Sequence, residues 1–138
     1  MRPSSGGGNI GGVIGTDSES NFETTVERLT KAIADRGLTL FCRVDHAAGA
    51  HRVGLELPPE EVFLFGNPEA GTLLMQADAS VGYELPLRIL VWQVGERVRL
   101  GYRDPRELTA DYDLGTGASV LKRMATLLSA ISAEAARK

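Results

Sequence analysis

The side chains best suited to chemistry begin with an acidic residue and a histidine side by side, Asp45 and His46. A neighbouring carboxylate can orient an imidazole ring, and histidine serves as a general acid or base near neutral pH. The sequence therefore makes His46 a candidate catalytic residue, with Asp45 as its orienting group. We expect no metal site, because on a helix His51 would point away from His46 and no third ligand stands at a metal-like spacing.

A strand, a turn and a helix start follow one another over residues 62–76 and add three polar groups. Residues 62–65 form an unbroken apolar run, which is typical of a strand buried on both faces. Asn67 suits a helix N-cap and Pro68 the first helical position. The turn lacks the Lys and Ser/Thr that end a phosphate-binding loop. Asn67, Thr72 and Gln76 are therefore interpreted as capping and pocket-lining groups.

Two arginines face each other in a predicted β-hairpin. Gly95 and Glu96 suit a two-residue turn, and the resulting register sets Arg88 opposite Arg103. Like charges in this position destabilise a sheet unless an anion lies between them. We expect either a small anionic ligand held by both guanidinium groups or an internal carboxylate. The candidate carboxylates are Asp45, Glu84 and Asp104.

The same hairpin is expected to expose a basic and aromatic sheet face. That face carries Phe41, Arg43, Leu90 and Trp92, and Trp92 opposite Arg99 predicts a cation–π pair. Arginine with aromatic residues is typical of protein interfaces, and no predicted helix remains to cover this face. Homodimerisation through it is therefore a further hypothesis.

The elements that position these groups are short strands and helices. Ser20 and Glu23 predict a capping box at the start of an amphipathic helix. A strand follows over residues 38–44, with Cys42 as a small buried side chain, and the last helix is expected over residues 119–135. Consecutive hairpin strands with helices at the ends indicate an α+β fold around an antiparallel sheet.

Composition limits the classes of partner. The chain of 138 residues suggests one domain, residues 12–138, after a Gly- and Ser-rich tail, residues 1–11, that we expect to be disordered. A net charge of −3 argues against nucleic acid. The absence of a long apolar run, of a signal-peptide core and of paired cysteines predicts a cytoplasmic protein away from membranes. No cofactor motif is present, so no cofactor is expected.

Several separated motifs, in this order, resemble the bacterial and archaeal family known as domain of unknown function 302. The resemblance covers residues from about 20 to about 114. It implies a TATA-binding-protein-like α+β fold, in which a curved antiparallel sheet has helices packed on one face, and small, often dimeric cytoplasmic proteins without an established reaction. The motifs are DHAAGA at 45–50, FGNP at 65–68, GT at 71–72, LMQ at 74–76, LPLR at 85–88, LVW at 90–92 and Tyr102 with Asp104-Pro105.

Three functions remain open at this point. The favoured hypothesis is a small-molecule-binding module whose pocket lies between Asp45-His46, Asn67 and Gln76. The first alternative is a hydrolase or isomerase that uses His46 as general acid or base. The second alternative is a dimeric interaction protein that uses the arginine and tryptophan sheet face.

Overall fold

The computed structural model describes residues 9–10 and 12–138 of the chain. The predicted disordered tail therefore lies outside the described residues, except for Asn9 and Ile10, which form a short strand. The strands are β1 Asn9–Ile10, β2 Val13–Asp17, β3 Thr39–Asp45, β4 Glu60–Gly66, β5 Leu87–Val94 and β6 Arg97–Tyr102. The helices are α1 Phe22–Asp35, α2 His46–Arg52, α3 Pro68–Ala77 and α4 Ala118–Ala135, and 3₁₀ turns lie at Ala79–Glu84, Pro105–Ala110 and Gly115–Gly117.

The strands form one six-stranded antiparallel sheet in the order β1-β2-β6-β5-β4-β3. Apolar stripes of α1 and α4 pack on one side of the sheet, where they meet fully buried strand residues such as Phe63 and Leu100. We call this side the helix face and the opposite side the open face. Helices on one face of an antiparallel sheet confirm the predicted α+β fold.

The first helix begins one residue later than the sequence pattern indicates. Asn21, not Ser20, is the N-cap, and its side chain accepts a hydrogen bond from the backbone N–H of Thr24 at 2.8 Å. The predicted capping box is therefore wrong. The Ser20 hydroxyl instead donates to the backbone oxygen of Arg137 at 2.8 Å, which ties the start of α1 to the end of the chain.

Strand β3 departs from the simple alternation predicted for it. A register irregularity lies between Leu40 and Cys42, so Cys42 falls on the open face opposite Leu64 and is exposed. Arg43 falls on the helix face opposite Phe63. The predictions of a buried Cys42 and of Arg43 beside Trp92 are both wrong, because one extra residue in a strand moves every following side chain to the other face.

A second apolar cluster lies beyond the sheet, between α3, the 3₁₀ turns and the first half of α4. Its buried members include Leu74, Val81 and Leu121. Asn67 caps α3 through Glu69 N at 2.9 Å and Pro68 takes the first helical position, as the sequence predicts. Strand β4 is buried on one face only, because Phe63 and Phe65 are enclosed while Val62 and Leu64 are half-buried.

Candidate ligand-binding groove on the open sheet face

A groove of about 680 Å³ crosses the open face of the sheet. We call it the open-face groove. Strand alternation forms it, because residues at every second position of β4 and β5 project to the same side. Its open-face lining residues include His46, Glu60, Val62, Arg88, Leu90 and Arg103. Glu84 and Asp104 also line it, as do Leu87, Tyr102 and Leu128 from the core side of the sheet.

The floor of the groove is apolar. Val62 and Leu90 are direct cross-strand partners, and Leu90 is also the partner of Gly101 on β6. Gly101 leaves room for neighbouring side chains, since a Cβ atom there would lie 2.8 Å from Val13 Cγ2 and 3.1 Å from the Trp92 ring. The Trp92 ring therefore lies over Gly101, beside the groove.

Two guanidinium groups mark one end of the groove. Leu90 pairs with Gly101, the last pair of the β5–β6 register. Arg88 lies two residues before Leu90 on β5, Arg103 is the first residue after β6, and both line the groove. Among the described residues, Arg88 has no ion pair or side-chain hydrogen bond. Arg103 Nε lies 3.3 Å from Glu107 Oε1, but both side chains are more than half exposed, so this pair is weak.

The carboxylates expected between these arginines have other partners. Asp104 is 2.7 Å from Arg106 Nη2 and also accepts from the backbone N–H of Arg106. Glu84 accepts a hydrogen bond from the Tyr112 hydroxyl at 2.9 Å. These contacts lower the pKa of Asp104, chiefly through the hydrogen bond from Arg106, and raise the pKa of Tyr112.

The opposite end of the groove carries His46 and Glu60. Glu60 is the cross-strand partner of Trp92, and His46 directly follows Asp45, the partner of Glu61. Arg88 and Trp92 are four residues apart, which at ~3.3 Å per residue separates the two ends by about 13 Å. The groove therefore has an end with two arginines and the carboxylates of Glu84 and Asp104, an apolar middle and a hydrogen-bonding end.

The remaining predicted site residues lie elsewhere. The Asp45 side chain caps α2 by accepting from Ala48 N at 2.8 Å, so it does not act as an orienting partner for His46. Asn67 and Thr72 line a different, apolar cavity, and Gln76 is exposed and lines neither. The predicted meeting of His46, Asn67 and Gln76 in one pocket does not occur.

The predicted hairpin register is correct, but its aromatic pair is not formed. Trp92 and Arg99 are cross-strand partners across a turn in which Gly95 has φ +62°. Arg99 Nε lies instead 3.2 Å from Asp17 Oδ1. The cation–π contact of the described residues is between Arg43 and Phe63, at 5.0 Å from the ring centroid.

Sequence reasoning missed Glu60 and Tyr83 as groove residues. Glu60 is the first residue of β4, one residue after Pro59, and it shares the open face with Val62 and Leu64. Tyr83 comes from the 3₁₀ turn before β5 and is 85% exposed beside the end with two arginines. No sequence periodicity indicates its position.

Residues 9–10 and 12–138 contain neither a metal-binding cluster of side chains nor a membrane-spanning helix. No group of three or more His, Cys, Asp or Glu side chains is arranged to hold a metal ion there. Within the same residues, no helix combines the length and the apolar character that crossing a membrane requires.

Comparison with known proteins decides the family. The family model described as "Domain of unknown function DUF302" matches residues 14–131, which is most of the chain. The chain belongs to this family. A crystal structure of an uncharacterised DUF302 protein from Bacillus stearothermophilus has the same fold, with a TM-score of 0.82 and 18% identity over 91% of this chain and 99% of that one.

Two curated relatives of this DUF302 chain are larger proteins. The "Fluoride-specific ion channel FluC 1" of Brucella suis biovar 1 (strain 1330) is 40% identical over 117 residues, which cover 83% of this chain and 46% of the relative. The "Fluoride-specific ion channel FluC 2" of Brucella melitensis biotype 1 is also 40% identical, with 43% of its length covered. The chain thus spans less than half the length of these relatives.

Proposed function

We propose that this DUF302 domain binds a small organic anion in the open-face groove. The observation that supports the proposal is that Arg88, Arg103 and His46 line one groove although they are distant in sequence. Arg88 has no anionic partner among the described residues. Asp104 and Glu84 also line the groove, but their carboxylates are bonded to Arg106 and Tyr112. A bound carboxylate or phosphate could accept charge-assisted hydrogen bonds from both guanidinium groups.

The groove also restricts the rest of the ligand. Val62 and Leu90 form an apolar middle, and His46 and Glu60 supply hydrogen-bonding groups at the far end. A matching ligand carries an anionic group at one end, an apolar or flat middle and a hydroxyl or amine at the other. Binding rather than catalysis is proposed, because Asp45 caps a helix and leaves His46 without an orienting carboxylate.

A ligand screen with matched arginine variants tests this proposal. We expect at least one organic carboxylate or phosphate to raise the melting temperature, and its affinity to fall about tenfold or more in Arg88→Gln and Arg103→Gln. Arg52→Gln is the control, since Arg52 is exposed on α2 and does not line the groove. Calorimetry gives the dissociation constants. Unchanged binding in both groove variants would contradict the proposal.

The Brucella relatives extend the proposal to a larger protein. They are named as fluoride-specific ion channels, and the matched segment makes up 46% and 43% of them. We propose that in such proteins the DUF302 domain is a ligand-binding unit attached to the channel part. Fluoride therefore belongs in the screen beside the organic anions. If only fluoride stabilises the domain, and Arg88→Gln abolishes that effect, the ligand of the groove is fluoride and not an organic anion.

A second candidate function is self-association through the open face. It is favoured by exposed apolar side chains on and beside this face, with Phe41 51%, Val44 42% and Val94 54% exposed. A second copy of the chain would bury them together with the half-buried Trp92. Sedimentation equilibrium tests this, since a dimer has twice the 14.8 kDa mass of one chain. A single-chain mass at high concentration would count against it.

A further inference from the structure

A separate apolar cavity of about 570 Å³ lies where α3 meets the sheet and α4. We call it the α3 cavity. Leu85 and Leu87 join it to the second apolar cluster, Leu127 to the main core, and Met75 and Met124 give it adaptable walls. Its volume is in the range of small-molecule sites. Pro86 and Leu87 line both this cavity and the open-face groove, but no polar side chain lines both.

The polar side chains around this cavity offer little to a polar ligand. Asn67 Oδ1 already accepts from Glu69 N at 2.9 Å, and the Thr72 hydroxyl donates to the Pro68 oxygen at 2.7 Å. A peptide placed here would leave its backbone N–H and C=O groups without partners, which costs free energy. A hydrocarbon chain brings no such groups.

A second cavity of about 480 Å³ adjoins the first along α3 and α4. The two share Asn67, Ala70, Met124 and Leu127 as walls. The second one adds two charged groups, Arg123 and Glu69. Among the described residues, Arg123 has no ion pair or side-chain hydrogen bond, so its positive charge is available at this end.

We propose that these joined cavities bind a single-chain anionic amphiphile, a long-chain fatty acid, with its acyl chain in the α3 cavity and its carboxylate at Arg123. Charge complementarity at one end and an apolar enclosure at the other fit this occupant. Glu69 repels the carboxylate, so the head group lies on the α4 side of the opening. The site is independent of the anion site proposed above.

Calorimetry with decanoate, laurate and myristate, on protein stripped of lipid, tests chain recognition. Affinity should rise by roughly fourfold for each added methylene until the cavity is filled. Ala70 lines both cavities, so Ala70→Phe should abolish binding by placing a phenyl ring in the space for the acyl chain. Ala77→Phe, at the exposed end of the same helix, should bind the acids as the unsubstituted protein does. No binding by any of the three acids, or full binding in Ala70→Phe, would overturn the proposal.

Surface charge variants test the head-group position without disturbing the core. Arg123→Gln should weaken laurate about three- to fivefold, and Glu69→Gln should strengthen it by a similar factor. Lys122→Gln, on the same helix but outside the cavity, is the control. Uncharged methyl laurate should bind all of these variants equally.

One outcome separates this site from the open-face groove. Arg88→Gln should leave laurate binding unchanged, because Arg88 does not line the joined cavities. If Arg88→Gln weakens laurate and Arg123→Gln does not, the fatty acid lies in the groove and the α3 cavity proposal is wrong. That result would leave the groove proposal intact.

Discussion

The two faces of the sheet come from the same strands but have different environments. On β4, Phe63 and Phe65 are fully buried under α1 and α4, whereas Val62 and Leu64 on the other side are only half-buried. On β5, Ile89 is enclosed in the same way. One face of each strand therefore belongs to the core, and the other is left for solvent, a ligand or a partner.

Two arginines on opposite faces of the sheet also differ in whether they have an anionic partner. On the helix face, Glu61 is 8% exposed and Arg43 holds it through Nε at 2.7 Å and Nη2 at 3.2 Å. On the open face, Arg88 has no such partner among the described residues. Pairing is expected where desolvation would make a lone charge costly, and an unpaired charge is tolerable where water or a ligand can reach it. The Arg43–Glu61 pair therefore contributes to stability, whereas Arg88 is available for the proposed binding. Other open-face charges are paired, since Arg99 lies 3.2 Å from Asp17.

Truncation of an aromatic residue on the helix face should have the largest effect. Phe63→Ala should lower the free energy of unfolding by about 3–5 kcal/mol, because it leaves a cavity in the core. Val62→Ala, the neighbouring residue on the open face, should cost about 1 kcal/mol or less, since Val62 is half-buried. Urea unfolding measures both. Similar losses would mean that the open face is covered in solution.

Removal of the helix-face cation should have the next largest effect. Arg43→Met leaves the Glu61 carboxylate buried without its partner and should cost about 1–3 kcal/mol. Replacing both residues by Met should recover most of the loss, because no uncompensated charge then remains. A double variant no more stable than Arg43→Met would show that Glu61 does not need this partner.

The sequence predicts local structure well where a pattern is long or chemically specific. The α+β fold, the Gly95-Glu96 turn and the Asn67-Pro68 helix start are confirmed. These features depend on neighbours in the chain, such as a helix cap or a turn that needs positive φ. The family resemblance is confirmed as well.

Prediction fails where one residue shifts the register or where distant segments meet. The irregularity after Leu40 reverses the faces of Cys42 and Arg43, and no local signal marks it. The convergence of His46, Asn67 and Gln76 was also wrong, since which loops share a cavity depends on tertiary packing. The register predicted from the turn is confirmed from Val94–Arg97 to Leu90–Gly101, because hairpin register follows from the turn. Arg103 lies just beyond β6, so the predicted Arg88–Arg103 strand pair is not formed, although both residues line one groove.

The pH dependence of unfolding measures how much the charge of Asp104, at the rim of the groove, contributes to stability. The hydrogen bond from Arg106 lowers the pKa of Asp104 in the folded protein. The Asp104 carboxylate therefore binds a proton more readily in the unfolded chain, and the free energy of unfolding decreases as the pH is lowered. Asp104→Asn keeps an acceptor for the backbone N–H but removes the charge. It should cost roughly 0.5–1 kcal/mol above about pH 5, because Arg106 is 60% exposed and screened.

This difference should shrink as pH falls from about 5 through the lowered pKa of Asp104. Urea unfolding of both proteins at several pH values gives the comparison. A difference that is independent of pH would show that Asp104 acts through its cap alone rather than through its charge.

The smallest effect is expected for the unpaired arginine of the open face. Arg88→Gln should change the free energy of unfolding by less than about 0.5 kcal/mol, because the exposed guanidinium has no partner to lose. Arg99→Gln, two rows along the same face, should cost more, since Arg99 is 22% exposed and lies 3.2 Å from Asp17. Urea unfolding of both variants measures the two changes in the free energy of unfolding. If Arg88→Gln is the more damaging substitution, Arg88 supports the sheet itself, and the open face can no longer be separated from the structural face as a site for ligand.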